Sequence, residues 1–78
     1  MLPVAVLLAL ETAHPQLSEA KRAAIRKLGV TGPRYFLDLT RMLANTDLLS
    51  EALRLNPTTT HRLLRQRDER AETRKARR

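Results

Sequence analysis

Proline and glycine constrain this chain more than any other residue type, because they divide its 78 residues into short apolar segments. Proline favours the first turn of a helix and glycine the position just beyond its end, so both residues indicate helix boundaries. No segment alternates apolar and polar residues around an Asn-Gly or Asp-Gly turn, and aromatic and β-branched residues are scarce. The sequence therefore predicts an all-α fold, a small bundle of four to five helices.

The small size of the chain limits how much surface it can bury. A chain of this length buries only about 60% of the surface that its unfolded form exposes. It contains no cysteine, so no disulfide adds stability. Leu, Ile, Val and Phe still number 20 of 78 residues, above the level of about 20% that is typical of disordered chains. We expect one domain that folds as helices, with or without the help of a second copy.

The charge of the chain is strongly positive. Fifteen Lys and Arg oppose eight Asp and Glu, which gives a net charge of +7, and twelve of the cations are Arg. Such a balance favours polyanionic partners, nucleic acid before an anionic membrane. Arginine also binds phosphate and guanine in a bidentate manner that lysine does not match. A GC-rich genome would raise the share of arginine as well, and that alternative stays open.

The residue types that enzymes need are few and scattered. His14 and His61 stand beside proline and threonine and show no metal-ligand spacing. The sequence contains no phosphate-binding glycine loop, HExxH motif or GxSxG motif. We therefore expect a protein that is not an enzyme, with no cofactor, no metal and no small-molecule substrate.

The first predicted helix, residues 4–13, is apolar on nearly every face. Its apolar run is about ten residues, shorter than the roughly 18 that a membrane span needs, and no positive segment precedes it as in a secretory signal. A helix that is apolar all round is buried all round. We expect it to pack on its own core and on a second copy, although a plain core helix is the alternative.

The second predicted helix, from about residue 18 to 28, leads into the most informative segment. Ser18 is its expected N-cap, and Gly29 supplies the left-handed residue that ends it. Val30 then faces the core, and Thr31 caps a third helix over residues 32–43 with Pro33 in its first turn. This spacing is typical of a helix-turn-helix, whose second helix enters the DNA major groove. Other αα corners also use glycine and a threonine cap.

A helical wheel divides the third helix into two faces. Tyr35, Phe36, Leu39, Met42 and Leu43 cluster on the side expected to face the core. The predicted base-contacting residues on the other side are Arg34, Leu37, Asp38 and Arg41, with Lys27 and Thr31 expected on the adjacent phosphates. Arginine suits guanine edges and an apolar side chain suits the thymine methyl. The alternative is a solvated face on which Asp38 balances one of the arginines.

The rest of the chain divides into a short helix and a basic segment. Thr46 or Asp47 is expected to cap a helix from about Leu48 to Leu55, which ends before Pro57. We therefore predict a helical core over residues 1–57 and a basic C-terminal helix or tail over residues 58–78.

The basic segment carries most of the excess charge. It has a net charge of +5 against +2 for residues 1–57. Beyond Leu63 and Leu64 it lacks large apolar side chains, so residues 66–78 are expected to fray when free and to lie along phosphates when bound. The predicted phosphate-contacting cations are Arg62, Arg65, Arg67, Arg70, Arg74, Lys75, Arg77 and Arg78. A merely solubilising tail is the alternative.

The run AIRKLGVTGPRYFLDL, residues 24–39, resembles the core of a family of small, basic, uncharacterised actinobacterial proteins. The specific part of the match is Arg34-Tyr35-Phe36 after Gly29 and Thr31. The same stretch is similar, more loosely, to region-four-type helix-turn-helix segments of sigma factors. This chain lacks the tryptophan-containing segment of that family's first helix and has Leu37 and Asp38 where a polar and then an apolar residue are expected. The resemblance implies a helix-turn-helix core but no established role.

The features together favour a DNA-binding protein. We expect a transcriptional regulator or nucleoid-associated protein that binds double-stranded DNA with residues 32–43, in the cytoplasm at the bacterial nucleoid. A homodimer or higher oligomer would place two such helices about 34 Å apart on the duplex. The alternative is a small protein-interaction adaptor, for example on RNA polymerase. RNA binding is a further alternative that rests on the tail alone, because the sequence offers no stacking aromatics on an exposed face.

Overall fold

The computed structural model describes residues 1–76, with the side chains of residues 1–73. Within these residues the chain forms five helices and no strand, which confirms the all-α fold. The helices are α1 (Val4–Ala13), α2 (Glu19–Lys27), α3 (Gly32–Ala44), α4 (Thr46–Leu55) and α5 (Pro57–Ala76).

Side-chain caps start four of the helices, and at the start of α5 the Asn56 Oδ1 accepts a hydrogen bond from the Thr59 amide at 3.1 Å. The hydroxyl oxygen of Ser18 accepts a hydrogen bond from the Lys21 amide, and that of Thr31 accepts one from the Arg34 amide, as predicted. The start of α4 differs from the prediction. Asn45, and not Thr46 or Asp47, is its cap, since the Asn45 Oδ1 accepts a hydrogen bond from the Leu48 amide at 3.1 Å. Asparagine is as good a cap as aspartate, so α4 begins two residues earlier than expected.

The turn between α2 and α3 depends on one glycine. Gly29 has a φ of 78°, the left-handed region that side chains with a Cβ rarely adopt. Its amide bonds to the Arg26 carbonyl and the Leu28 amide to that of Ile25, which satisfies carbonyl groups at the end of α2. The glycine therefore ends α2 as predicted.

The core lies where α1 and α4 meet the other helices. α4 packs against α1, α3 and α5, while α2 packs against α1 and α3. The buried apolar side chains are Val4, Leu7, Leu8, Leu10, Ile25, Tyr35, Met42, Leu43, Ala52 and Leu63. Every helix contributes to this single cluster, so no helix can leave without opening the core.

Helix α1 is not buried on every face, in contrast to the prediction. Four of its large apolar side chains are buried, but Ala5 and Ala9 are exposed on the opposite side. The exposed side costs little because it consists of small residues, whose apolar surface in water is small. A contact between this face and a second copy stays a prediction.

Helix α5 begins inside the core and ends outside it. Thr59, Thr60 and Leu63 are buried, and the Thr60 hydroxyl donates to carbonyl oxygens at the end of α4. From Arg67 to Thr73 every side chain is exposed. The first part of α5 is thus packed into the domain, whereas the expected fraying of residues 66–78 in the free protein stays a prediction. Among the described helices, none is both long enough and apolar enough to cross a membrane.

Candidate nucleic-acid interface

A short turn joins α2 to α3. The turn runs from Leu28 to Thr31, and Val30 packs against the core while Thr31 caps α3. Lys27 lies in the last turn of α2, and both it and Thr31 are exposed beside the start of α3. The capped turn places the first turn of α3 at the protein surface.

Three of the four predicted base-contacting residues form an exposed line along α3. Arg34, Leu37 and Arg41 are all exposed, with Leu37 retaining 43% of its accessible surface. Positions 34, 37 and 41 follow helical spacing, so their side chains project from one side of the helix. Their predicted exposure is confirmed, and among the described residues Arg41 forms no ion pair.

The predicted exposure of Asp38 is wrong. Its side chain is 1% exposed, and its Oδ2 accepts a hydrogen bond from the Leu2 amide at 2.9 Å. Its Oδ1 lies 3.4 Å from the Arg34 Nε, an ion pair without a formed hydrogen bond. A helical wheel cannot show this position to be buried, because the segment that covers it comes from the start of the chain.

Phe36 also lies elsewhere than the wheel predicts. It is 39% exposed rather than buried, while Tyr35, Met42 and Leu43 occupy the core as expected. The Phe36 ring contacts the edge of the Tyr35 ring, with ring centroids 5.2 Å apart. The five side chains assigned to one face span too wide an arc to be covered by one neighbour, and Phe36 lies at its open edge.

A buried polar cluster centred on Glu11 holds α3 in place. The Tyr35 hydroxyl donates to the Glu11 Oε2 at 2.6 Å, and the Lys21 Nζ lies 2.8 Å from the same oxygen. Glu11 and Lys21 are almost fully buried, and Arg62 donates to the Glu11 carbonyl oxygen at 2.9 Å. The cluster links α1, α2, α3 and α5, so it fixes the orientation of α3 relative to the other three helices.

Burial raises the pKa of the Tyr35 phenol, and the hydrogen bond to the Glu11 carboxylate raises it further. The nearby Arg62 guanidinium acts in the opposite direction but does not reverse the shift. Tyr35 therefore remains a neutral donor to Glu11 well above the pH at which a free tyrosine ionises.

The comparison with known families covers nearly all of the structure described above. A family model with the description "Protein of unknown function (DUF3263)" matches residues 4–75, from the start of α1 almost to the end of α5. The chain belongs to this family. Neither the comparison with curated proteins nor that with solved structures gives a match. The DUF3263 match agrees with the resemblance to an uncharacterised family, and it adds no activity.

The basic residues of α5 in this DUF3263 chain have different environments. Arg65, Arg67 and Arg70 are exposed, and Arg67 pairs with the neighbouring Asp68 at 3.3 Å. Arg62 instead turns inward to Glu11, which gives it a structural contact that the sequence did not indicate. The side chains of Arg74 and Lys75, and the whole of Arg77 and Arg78, lie outside the described residues.

Sequence reasoning missed the Glu11 cluster of the DUF3263 chain entirely. Glu11 ends an apolar run and Lys21 follows it by ten residues, which is no helical spacing, so nothing local indicates a pair. The one available signal is the apolar face of α1, since a carboxylate on it needs a buried partner. Within the part of the chain that the structure describes, no three acidic or histidine side chains come together as metal ligands would.

Proposed function

We propose that this DUF3263 protein binds double-stranded DNA through the exposed line of α3. The observation that carries the proposal is the pair Arg34 and Arg41, exposed on either side of Leu37 on a helix that follows a tight, capped turn. Two arginines and an apolar side chain suit the guanine edges and thymine methyl groups of the major groove. The net charge of +7 supports an electrostatic attraction to the duplex.

Asp38 supports the proposal in a different role from the one expected. Its buried carboxylate lies beside the Arg34 Nε, and about half of the Arg34 side chain remains exposed. A guanidinium held from one side loses less freedom on binding, so its unused donors are available in a defined direction. Asp38 is therefore a positioning residue for Arg34 and does not face base edges.

The basic part of α5 would add phosphate contacts. Arg65, Arg67 and Arg70 are exposed cations of this helix, and the charge of residues 58–78 is +5. Phosphate contacts of this kind carry no sequence information and weaken steeply with salt. The segment would therefore raise affinity for any duplex, while α3 would discriminate between sequences.

A second copy would complete the proposed mode of binding. One exposed line on α3 offers few base contacts, whereas a dimer offers two lines on successive turns of the duplex. Sedimentation at tens of micromolar tests this part, and a strict monomer would contradict it. A role in transcription or DNA packing, a place at the bacterial nucleoid and an actinobacterial origin belong to the same proposal, as does the absence of an enzymatic activity.

The test of the α3 surface is a binding experiment with matched charge changes. Fluorescence anisotropy with a duplex obtained by site selection compares the wild type with Arg34→Ala and Arg41→Ala. Arg54→Ala on α4 is the control, because it removes the same charge from an exposed position on another helix. We expect each α3 variant to lose about 1–3 kcal/mol of discrimination against mismatched sites. Equal effects of all three substitutions would contradict base contact by α3.

The contribution of the tail is tested with a chain that ends at Gln66. This chain keeps the buried residues Thr59, Thr60 and Leu63, and circular dichroism checks its fold. Titration of a random duplex across a salt series should show a shallower dependence of affinity on salt for the shorter chain. No binding by either chain at moderate salt would overturn the DNA proposal.

A further inference from the structure

A groove on the far side of α3 from Arg34 and Arg41 has no part in the proposed base contacts, although Arg67 and Arg70 in its lining are also proposed phosphate-contacting cations. It measures about 650 Å³ and lies between α3, the loop that joins α1 to α2, and the exposed part of α5. Its apolar surface is formed by Leu17, Phe36, Leu39, Leu43 and Leu63. Positions 36, 40 and 43 of α3 face the groove, whereas positions 34, 37 and 41 lie roughly 100–160° further round the helix.

The groove leaves two large apolar side chains in water. Leu17 is 60% exposed and Phe36 is 39% exposed. A pocket for a small ligand encloses most of its occupant and buries the side chains that line it. Here the exposed Leu17 and Phe36 instead suit an occupant that lies across them and covers them from outside, as a helix of another protein does.

Phe36 is held ready for such a contact. The Phe36 ring packs nearly perpendicular to the buried Tyr35 ring. The Lys21 ammonium makes a second contact, 5.8 Å from the centroid of the Phe36 ring. Tyr35 and Lys21 are themselves fixed by Glu11. A rigid, partly exposed aromatic ring loses little conformational freedom on binding, which is typical of residues that dominate binding energy.

The charges around the groove decide the chemistry of the occupant. Glu11 and Lys21 at its floor pair with each other at 2.8 Å, and the other two charged residues of the lining are both cations, Arg67 and Arg70 of α5. The exposed pair of Arg67 with Asp68 is weak and easily exchanged, since both side chains are more than half exposed. The complementary surface is therefore apolar in the middle and acidic at the edge.

We infer that this groove binds an acidic amphipathic helix of a partner protein, with Leu17 and Phe36 against its apolar face and Arg67 and Arg70 against its carboxylates. A helix of this type carries apolar residues at positions i, i+3 or i+4, and i+7. The partner surface lies apart from Arg34, Leu37 and Arg41, so it does not depend on the proposed base contacts, although it shares Arg67 and Arg70 with the proposed phosphate contacts. The protein can thus hold a partner on one side of α3 while the other side is free.

The test begins with selection from random 16-residue peptides displayed on phage, with the immobilised full-length protein as bait. We expect enriched peptides to combine apolar residues at helical spacing with Asp and Glu. Anisotropy of one enriched, fluorescein-labelled peptide then compares Phe36→Ala and Leu17→Ala with Leu37→Ala. Leu37 is the matched control, because it is similarly exposed on the same helix but outside the groove.

The expected pattern separates the two sides of α3. Phe36→Ala should weaken peptide binding by about tenfold or more, and Leu17→Ala should weaken it measurably, while Leu37→Ala leaves it unchanged. Leu17 lies in a loop and is mostly exposed, so its variant tests the groove even if Phe36→Ala disturbs the fold. In a duplex-binding assay the effects should reverse: Leu37→Ala should weaken DNA binding, and Leu17→Ala should leave DNA binding unchanged.

Charge reversal tests the acidic character of the partner. The double variant Arg67→Glu with Arg70→Glu should weaken binding of the acidic peptide by about tenfold or more at low salt. The attraction between the arginines and the peptide carboxylates becomes repulsion at close range. The matched control is Arg54→Glu with Arg65→Glu, which makes the same change of charge at exposed positions outside the groove lining.

Several results would overturn the inference. They include no enriched peptide, enriched peptides without the acidic and apolar pattern, or peptide binding that survives both Phe36→Ala and Leu17→Ala. Self-association that these two variants abolish and the peptide inhibits would assign the groove to a second copy instead. Binding of dodecanoate with the same Phe36 dependence, when no peptide is enriched, would assign it to a small amphiphile.

Discussion

The Tyr35 hydroxyl donates a hydrogen bond to the Glu11 carboxylate, with 2.6 Å between the two oxygens, and the Tyr35 side chain has no exposed surface. The two residues are 24 positions apart and belong to α3 and α1. Because Glu11 also binds Lys21 and Arg62, this contact ties α3 to the buried polar cluster centred on Glu11.

The ionisation of Tyr35 is the most direct prediction from this contact. Tyr35 is the single tyrosine of a chain without tryptophan, so absorbance near 295 nm follows it alone. We expect no tyrosinate signal from the folded protein at pH 11, because burial and Glu11 raise the pKa of the phenol above its ordinary value of 10.0. The protein unfolded in urea should titrate near pH 10. Coincident folded and unfolded titrations would contradict the buried hydrogen bond.

The same shift predicts how stability depends on pH. Above pH 10 the unfolded chain releases the Tyr35 proton while the folded chain keeps it, so the free energy of unfolding falls as pH rises. The Tyr35→Phe variant has no phenol proton to release, so its free energy of unfolding should not show this fall above pH 10. At pH 7 the variant should be less stable by about 1–2 kcal/mol, because the hydrogen bond to Glu11 is lost. Urea denaturation of both proteins between pH 8 and pH 11 measures the difference in slope.

The Glu11–Lys21 pair should show strong coupling. Replacing Glu11 by Gln leaves the buried Lys21 charge without its partner, which costs about 3–5 kcal/mol. Replacing Lys21 by Met should cost less, because the Arg62 Nη2 remains 3.7 Å from the Glu11 Oε1. The double variant removes both charges and should cost clearly less than the sum of the two single changes. A double-mutant cycle by urea denaturation tests this. Simple additivity would mean that the pair contributes nothing beyond its separate members.

Two glycines provide a matched test of the turn. Apart from its neighbours in the chain, a Cβ at either Gly29 or Gly32 would meet no atom within 4 Å, so the main difference between them is the left-handed backbone of Gly29. Gly29→Ala should lose about 1–2 kcal/mol, because an L-residue pays that much in the left-handed region. Gly32→Ala, at the start of α3 with an ordinary φ, should cost clearly less, because its penalty is limited to the crowding of the new Cβ against the Pro33 ring. Thermal melts compare the two, and equal effects would contradict the turn geometry.

Asp38 should act as a hydrogen-bond acceptor more than as a charge. Asp38→Asn retains an oxygen for the Leu2 amide and removes a carboxylate whose Oδ1 has no formed hydrogen bond, so its effect on stability should be small. Asp38→Ala removes the acceptor and should cost about 1–2 kcal/mol. Denaturation curves of both variants decide between them, and an equal loss would show that the charge matters instead.

The parts of the fold that follow from local chemistry were predictable from the sequence. The bounds of α1, the Ser18 and Thr31 caps and the left-handed Gly29 depend only on residues within one or two turns. The exposure of Arg34, Leu37 and Arg41 followed for the same reason. The beginning of α4 did not, because Asn45, Thr46 and Asp47 are all good caps and the sequence alone does not choose between them.

The remaining differences come from contacts between distant residues. Asp38 is buried by the amide of Leu2, 36 positions earlier, and Arg62 turns inward to Glu11, 51 positions earlier. A helical wheel cannot show either contact, because it considers one helix alone and assumes that the core lies on one side of it. Leu17 is exposed for a similar reason, because the loop between α1 and α2 carries it to the edge of the groove.

The packing of α4 between α3 and α5 also has a kinetic consequence. Both neighbours adjoin it in sequence, and α1 and α2 are paired in the same way, so most of the core forms between consecutive helices. Chains with such local contacts refold in microseconds to milliseconds. The contacts of α1 with α4 and α5 close the largest loops, and Glu11 meets Arg62 only there. The buried polar cluster centred on Glu11 would thus assemble last. Substitutions in this cluster would chiefly accelerate unfolding and leave the refolding rate nearly constant.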